Sequence, residues 1–176
     1  MNRDPYQGLA QQPLNRFLGE EAARADAELN RVYGLLSASL AKKPTALTAL
    51  KTAQRAWLVF RDAEVKAVGE VFGEGTGRAQ VESGAEGNLT QERVTWLLLA
   101  LAGKTALGSG KEKSAADTLL NQLWKEKSPP ETTAQRAWLK WRDAELAFWS
   151  AHAGTTTRDA VLTRLTWERC RALCGG

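Results

Sequence analysis

Cysteine, histidine, methionine and proline are scarce in this chain, at two, one, one and five among 176 residues. Cys170 and Cys174 are too few for a disulfide framework. A zinc site would need further ligands, so they read as two ordinary thiols on one helix face. The single histidine, His152, falls in a short connection with no counterpart in the first half. No nucleophile motif, no phosphate-cradling glycine loop between strand and helix and no metal-ligand cluster is present. The chain therefore reads as a non-enzyme that asks for no cofactor and no metal. No apolar run reaches the roughly 18–20 residues of a membrane span. Residues 1–19 lack the apolar core of a signal peptide. The expected location is periplasm or cell envelope if a signal has been removed, and cytoplasm otherwise. Period-two strand patterns are missing too.

What is abundant is helix-forming sequence, with 43% hydrophobic residues and seven tryptophans. That composition belongs to a globular core. The net charge of +4 is mild, and no Lys/Arg stripe with interleaved aromatics forms, which argues against a nucleic-acid partner, so none is expected.

The strongest signal is repetition. Residues 53–64 read Ala-Gln-Arg-Ala-Trp-Leu-Val-Phe-Arg-Asp-Ala-Glu, and residues 134–145 repeat ten of these twelve positions at a spacing of 81. Leu89-Thr90-x-Glu92-Arg93 returns as Leu165-Thr166-x-Glu168-Arg169, and Leu29-Asn30-x-x-Tyr33 returns as Leu120-Asn121-x-x-Trp124. Three echoes in one order mean an internal duplication. The expected fold is all-α: two sequence-related antiparallel three-helix units packed as one bundle-like body. An irregular lead-in covers residues 1–19, the first repeat 20–107, a linker 108–113 and a shorter second repeat 114–176.

Helix boundaries follow from breakers and caps. Helices are expected at about 20–41, 46–68 with Thr45 as N-cap, 88–107, 114–127, 131–151 and 156–174. Between the second and third lies a segment with six glycines, 69–88, expected as a loop. It carries Glu70, Glu74, Glu82 and Glu86 against Arg78 alone. The third helix, apolar on all sides from Val94 to Ala102, is expected to be buried all round and to form part of the seam between repeats.

At about 100° per residue, Ala53, Gln54, Trp57, Phe60, Arg61, Glu64 and Val68 share the inner side of the second helix. Arg55, Val59, Asp62 and Lys66 share the outer side. Buried charges must be paired, so Arg61 and Glu64 are expected to pair on one helix, with Arg93 or Glu92 completing the network. Gln54 belongs to it. Gln135, Arg142, Glu145, Arg169 and Glu168 would do the same in the second repeat. Arg55 and Asp62 lie outside yet recur as Arg136 and Asp143, which makes these four candidate partner contacts.

The run Asp26-Ala-Glu-Leu-Asn30-Arg-Val-Tyr33, then Ala53-Gln-Arg-Ala-Trp57 with Arg61-Asp62-Ala63-Glu64, then Leu89-Thr90-x-Glu92-Arg93, resembles the lysozyme inhibitor LprI-like N-terminal domain family. The resemblance covers roughly 11–105 and again 114–174. It implies a small helical domain, usually exported from bacteria, with lysozyme inhibition in some members. The family's cysteine after Arg-Asp-Ala-Glu is Val65 and Leu146 here, and its earlier cysteine would fall near Phe17 or Leu18, so its disulfide is lost. The expected function is a non-enzymatic cell-envelope binding protein with a partner such as lysozyme. Glu70, Glu74, Glu82 and Glu86 are the site expected to attract a cationic partner. The alternative is a cytosolic helical interaction module.

Overall fold

The computed structural model describes residues 7–103, 113–125, 129–154 and 157–174. Six helices account for nearly all of them: α1 (Gln7–Ser39), α2 (Pro44–Phe72), α3 (Thr76–Leu101), α4 (Lys113–Lys125), α5 (Pro129–Ala153) and α6 (Arg158–Cys174). No strand occurs among the described residues.

The helix α1 starts much earlier than the lead-in reading expected, with exposed Pro13 inside it. A proline removes one helical hydrogen bond, and here it does not end the helix. Further on, Ala22, Ala25, Leu29, Val32 and Leu36 recur at three- and four-residue steps, and all are buried. That stripe faces the core. The first cap also differs from expectation. Pro44 occupies the start of α2, where its missing N–H costs nothing, and Lys43 rather than Thr45 is the cap residue.

The glycine-rich segment is helical where a loop was expected. Only Gly73 and Gly75 adopt positive φ, at 72° and 134°, conformations suited to glycine. They form a three-residue turn between α2 and α3. The remaining glycines lie inside helices. Gly87 sits against the Ala22 backbone, where an added Cβ would lie 3.6 Å from the Ala22 Cα. A helical glycine costs about 1 kcal/mol relative to alanine, and since 3.6 Å is ordinary van der Waals contact, the packing of α1 on α3 does not require glycine here. The third helix ends at Leu101, with Gly103 at positive φ behind it. Apart from Lys113, which opens α4, the expected linker lies outside the described residues.

Two repeats form one packed body. Helix α2 lies along α5, α1 packs on α3, and α4 packs on α6. The seam is therefore made chiefly by the motif helices, and α3 takes part in it through Arg93 and Trp96, which reach Glu145 and Glu168 of the second repeat. Helix α3 is also not buried all round: Trp96, Leu97 and Ala100 are buried, but Leu98 is 42% exposed. At the seam the rings of Phe60 and Trp141 stack with centroids 5.1 Å apart and planes 8° apart. These two residues occupy the same position in the two motif copies. Contact between equivalent residues is the signature of a two-fold relation, here a pseudo-two-fold within one chain.

Trp57 and Trp138, also equivalent, are each 1% exposed and belong to the same core. Trp57→Ala and Trp138→Ala should each cost about 3–5 kcal/mol. Val59→Ser, at a 61% exposed position, should stay within about 0.5 kcal/mol. Urea unfolding of the three variants beside the parent checks both statements.

Candidate functional site

The polar residues of the motif meet at the seam, but with partners different from those expected. Arg93 on α3 donates from Nη1 to Glu145 Oε2 at 2.7 Å and from Nε to Gln54 Oε1 at 2.9 Å. Arg169 on α6 donates from Nη1 to Glu64 Oε1 at 2.7 Å and from Nε to Gln135 Oε1 at 2.8 Å. Each arginine thus holds the glutamine of its own repeat and the glutamate of the other. The expected Arg61–Glu64 and Arg142–Glu145 pairs within one helix are not formed. The pairing crosses the seam in both directions, as a two-fold relation requires.

The two crossings are not equal. Arg93 and Glu145 have 0% and 1% of their side chains exposed, whereas Glu64 opposite Arg169 keeps 15%. Glu145 also accepts from Trp141 Nε1 at 3.3 Å and Trp149 Nε1 at 3.0 Å. The first repeat has Phe60 and Val68 at those positions, and neither can donate. Glu64 Oε2 and Arg93 Nη2 are left without a protein partner. Both residues line a cavity of about 40 Å3 on the seam, enough space for water and far below a small-molecule site.

Glu92, at the rim, lies near Glu168. Partial burial pushes its carboxyl above the ordinary 4.5, and the Glu168 charge adds to this. Glu168 itself accepts from Trp96 Nε1 at 3.1 Å and Arg164 Nε at 2.8 Å.

Arg61 and Arg142 belong to a separate outer layer. Arg61 lies over the Trp57 ring at 5.3 Å and Arg142 over Trp138 at 5.5 Å. Arg61 pairs with Asp26 at 3.0 Å, Asp62 at 3.1 Å and Glu86 at 3.7 Å. Arg142 pairs with Asp143 at 2.8 Å. The recurrence of Asp62 as Asp143 is thereby explained, since each steadies the arginine beside it. Arg55 and Arg136 are exposed, and among the described residues no ion pair engages them.

Arg55 borders a surface groove of about 550 Å3 between α1 and α2. Asp26, Leu29, Asn30 and Tyr33 form one wall, and Gln54, Leu58 and Arg61 belong to the other. Between α4 and α5 a groove of about 340 Å3 is lined by the repeat equivalents of most of these residues, among them Asp117, Asn121, Trp124 and Leu139, but not by Arg136, the equivalent of Arg55. These grooves were not anticipated as sites, although the Leu-Asn-x-x-aromatic echo marks one wall of each.

The four glutamates of 69–88 lie on two helices and a turn, not in one loop. Glu70, on α2, pairs with Lys66 at 3.8 Å, and Glu82, on α3, with Arg78 at 2.7 Å. Glu86 faces Arg61, and Glu74 sits exposed in the turn. Beside it Val71 is 78% and Phe72 60% exposed. His152 shares a hydrogen bond of 2.9 Å between Nε2 and the Ala100 carbonyl and stacks on Phe148, a structural position. Cys170 is buried and gives its S–H to the Ala116 carbonyl at 3.7 Å, and burial pushes the thiol up. Cys174 is exposed and neither cysteine is in a disulfide. Among the described residues no group of three His, Cys, Asp or Glu could hold a metal, and no helix is long and apolar enough to cross a membrane.

A family model described as lysozyme inhibitor LprI matches residues 4–97 and again 106–173. An uncharacterized protein, R02472, of Rhizobium meliloti (strain 1021) is 32% identical over 105 residues, covering 53% of this chain and 76% of that protein. No solved structure matches.

Glu145→Gln strands Arg93 in an almost wholly buried site and should cost about 3–5 kcal/mol. Glu64→Gln, partly solvated, should cost clearly less. Guanidinium unfolding of both variants decides the order. Glu92→Gln tests the raised carboxyl. A raised acid makes the folded state bind more protons than the unfolded one, so stability falls as pH rises from 4.5 through the raised value. The glutamine variant should equal the parent below pH ~4 and exceed it at neutral pH, as read from thermal midpoints.

Proposed function

The chain belongs to the lysozyme inhibitor LprI family, and on that premise we propose a non-enzymatic binding protein of the bacterial cell envelope, of the lysozyme-inhibitor type. Its partner surface is the tip between α2 and α3. The observation that carries this is the exposed pair Val71 and Phe72 beside Glu70 and Glu74. An aromatic anchor with a charged rim is the composition of an interface hot spot. Glycine at 73 and 75 lets the turn project. The second repeat joins α5 to α6 through residues 154–157 without such a pair.

Catalysis finds little to work with. Glu64 and Glu145, the inward carboxylates, are held by arginines, and His152 is tied to a backbone carbonyl. The acidic tip contrasts with a chain of net charge +4, so a cationic partner such as lysozyme would be steered to that end. One observation favours the second reading, a cytosolic interaction module: Cys170 and Cys174 are both unpaired, as suits a reducing compartment.

Surface plasmon resonance against lysozyme separates the two. Phe72→Ser should weaken binding about thirtyfold, the size of a hot-spot loss. Glu70→Gln with Glu74→Gln should slow association several-fold at low salt and scarcely at high salt. No binding by the parent chain would remove the inhibitor reading. Binding indifferent to all three substitutions would remove the tip.

A further inference from the structure

The repeats keep residues that folding does not require. Leu58 and Leu139 occupy equivalent positions and are exposed to nearly the same extent, 37% and 36%. Asn30 and Asn121 are exposed on the opposite walls of their grooves. Arg55 lines the first groove, and Arg136 is exposed at the equivalent position outside the lining of the second. Exposed groups of this kind can be lost at little cost in stability, yet both copies carry them. Where the copies differ, the difference is informative. Tyr33 becomes Trp124, which preserves a flat aromatic face and discards the hydroxyl.

The groove walls are helices, so their backbone N–H and C=O groups are used internally. An extended peptide laid there would find no main-chain ladder. A saccharide needs only side-chain donors and acceptors, an aromatic face for its C–H side and apolar contact for its substituents. The groove supplies each. Asp26 gives Oδ1 to Arg61 and Gln54 gives Oε1 to Arg93, which leaves the second carboxylate oxygen and the amide N–H2 for a ligand. From Asp26 to Tyr33 the wall is about 10 Å long, the length of roughly two sugar rings. Both grooves, at about 550 and 340 Å3, fall within the usual range for small-molecule sites.

We infer that the two grooves are equivalent sites for an acidic saccharide of one or two rings. The ring lies on Tyr33 or Trp124. Its hydroxyls meet Asp26 and Asn30, or Asp117 and Asn121. Its carboxylate meets the guanidinium of Arg55 in the first groove, or reaches out to Arg136 beyond the lining of the second, and a guanidinium matches it in a two-pronged geometry. Lys51 and Arg55 both line the first groove, whereas the second is lined by Arg142, already paired with Asp143. The first site is therefore the tighter and the more salt-sensitive of the two. These sites are separate from the α2–α3 tip, so failure to bind lysozyme leaves them untouched.

The test is an NMR titration of the full chain with the disaccharide N-acetylglucosaminyl-N-acetylmuramic acid. Neutral N,N′-diacetylchitobiose and the peptide acetyl-Leu-Glu-Leu-amide are titrated in parallel. Saturable shifts of the Asn30 and Asn121 amides and the Trp124 indole are expected with the acidic disaccharide, and weaker ones with the neutral sugar. Arg55→Ala should weaken the first site about tenfold or more and Arg136→Ala the second, as loss of a charged hydrogen bond implies, with thermal midpoints unchanged. Absence of saturable binding, shifts confined to other surfaces, or equal affinity in the arginine variants would overturn the proposal. Tighter binding of the peptide, or equal binding of the neutral sugar, would overturn its ligand class.

Discussion

Arg93 and Glu145 lie 2.7 Å apart with almost no solvent on either side chain, and they belong to different repeats. Much of the molecule depends on that pair and its counterpart, Arg169 with Glu64. A buried ion pair gains little over a well-packed apolar pair, but removing one partner is expensive. Each half therefore carries a charge that only the other half can neutralise. A repeat folded alone would have to expose its arginine or desolvate it unpaired. Dissociation is disfavoured by electrostatics as well as by loss of the stacked Phe60–Trp141 contact. This arrangement supplies cohesion to a chain whose second repeat is small for a core of its own.

The two crossings have diverged in a way that follows from single residues. Trp141 and Trp149 give Glu145 two indole donors, while Phe60 and Val68 give Glu64 none. The richer site is almost wholly buried. The poorer one keeps some solvent, and the small seam cavity borders both, through Glu64 and Arg93. The motif's inward residues are thus engaged in folding, and the surfaces proposed for binding are the tip around Phe72 and the grooves beside Tyr33 and Trp124.

The inner and outer faces of α2 were legible from periodicity, because Trp57, Phe60 and Gln54 turn inward and Val59 and Asp62 outward, as helical phase requires. The crossing was not. An arginine that pairs within its repeat and one that pairs across the seam leave the same residues at the same spacing, and only tertiary geometry distinguishes them. The glycine-rich stretch is not legible as helix because composition cannot separate a glycine needed for positive φ, as at 73 and 75, from one that sits within a helix, as at 84 and 87. The groove walls were visible as the upstream echo. Their meeting required α1 and α2 to be placed side by side.

On this account the crossed ion pairs make the two repeats one cooperative unit. Differential scanning calorimetry of the intact chain tests it most directly. One transition, with calorimetric and van't Hoff enthalpies equal, is the predicted result. Two separable transitions, one for each repeat, would contradict it.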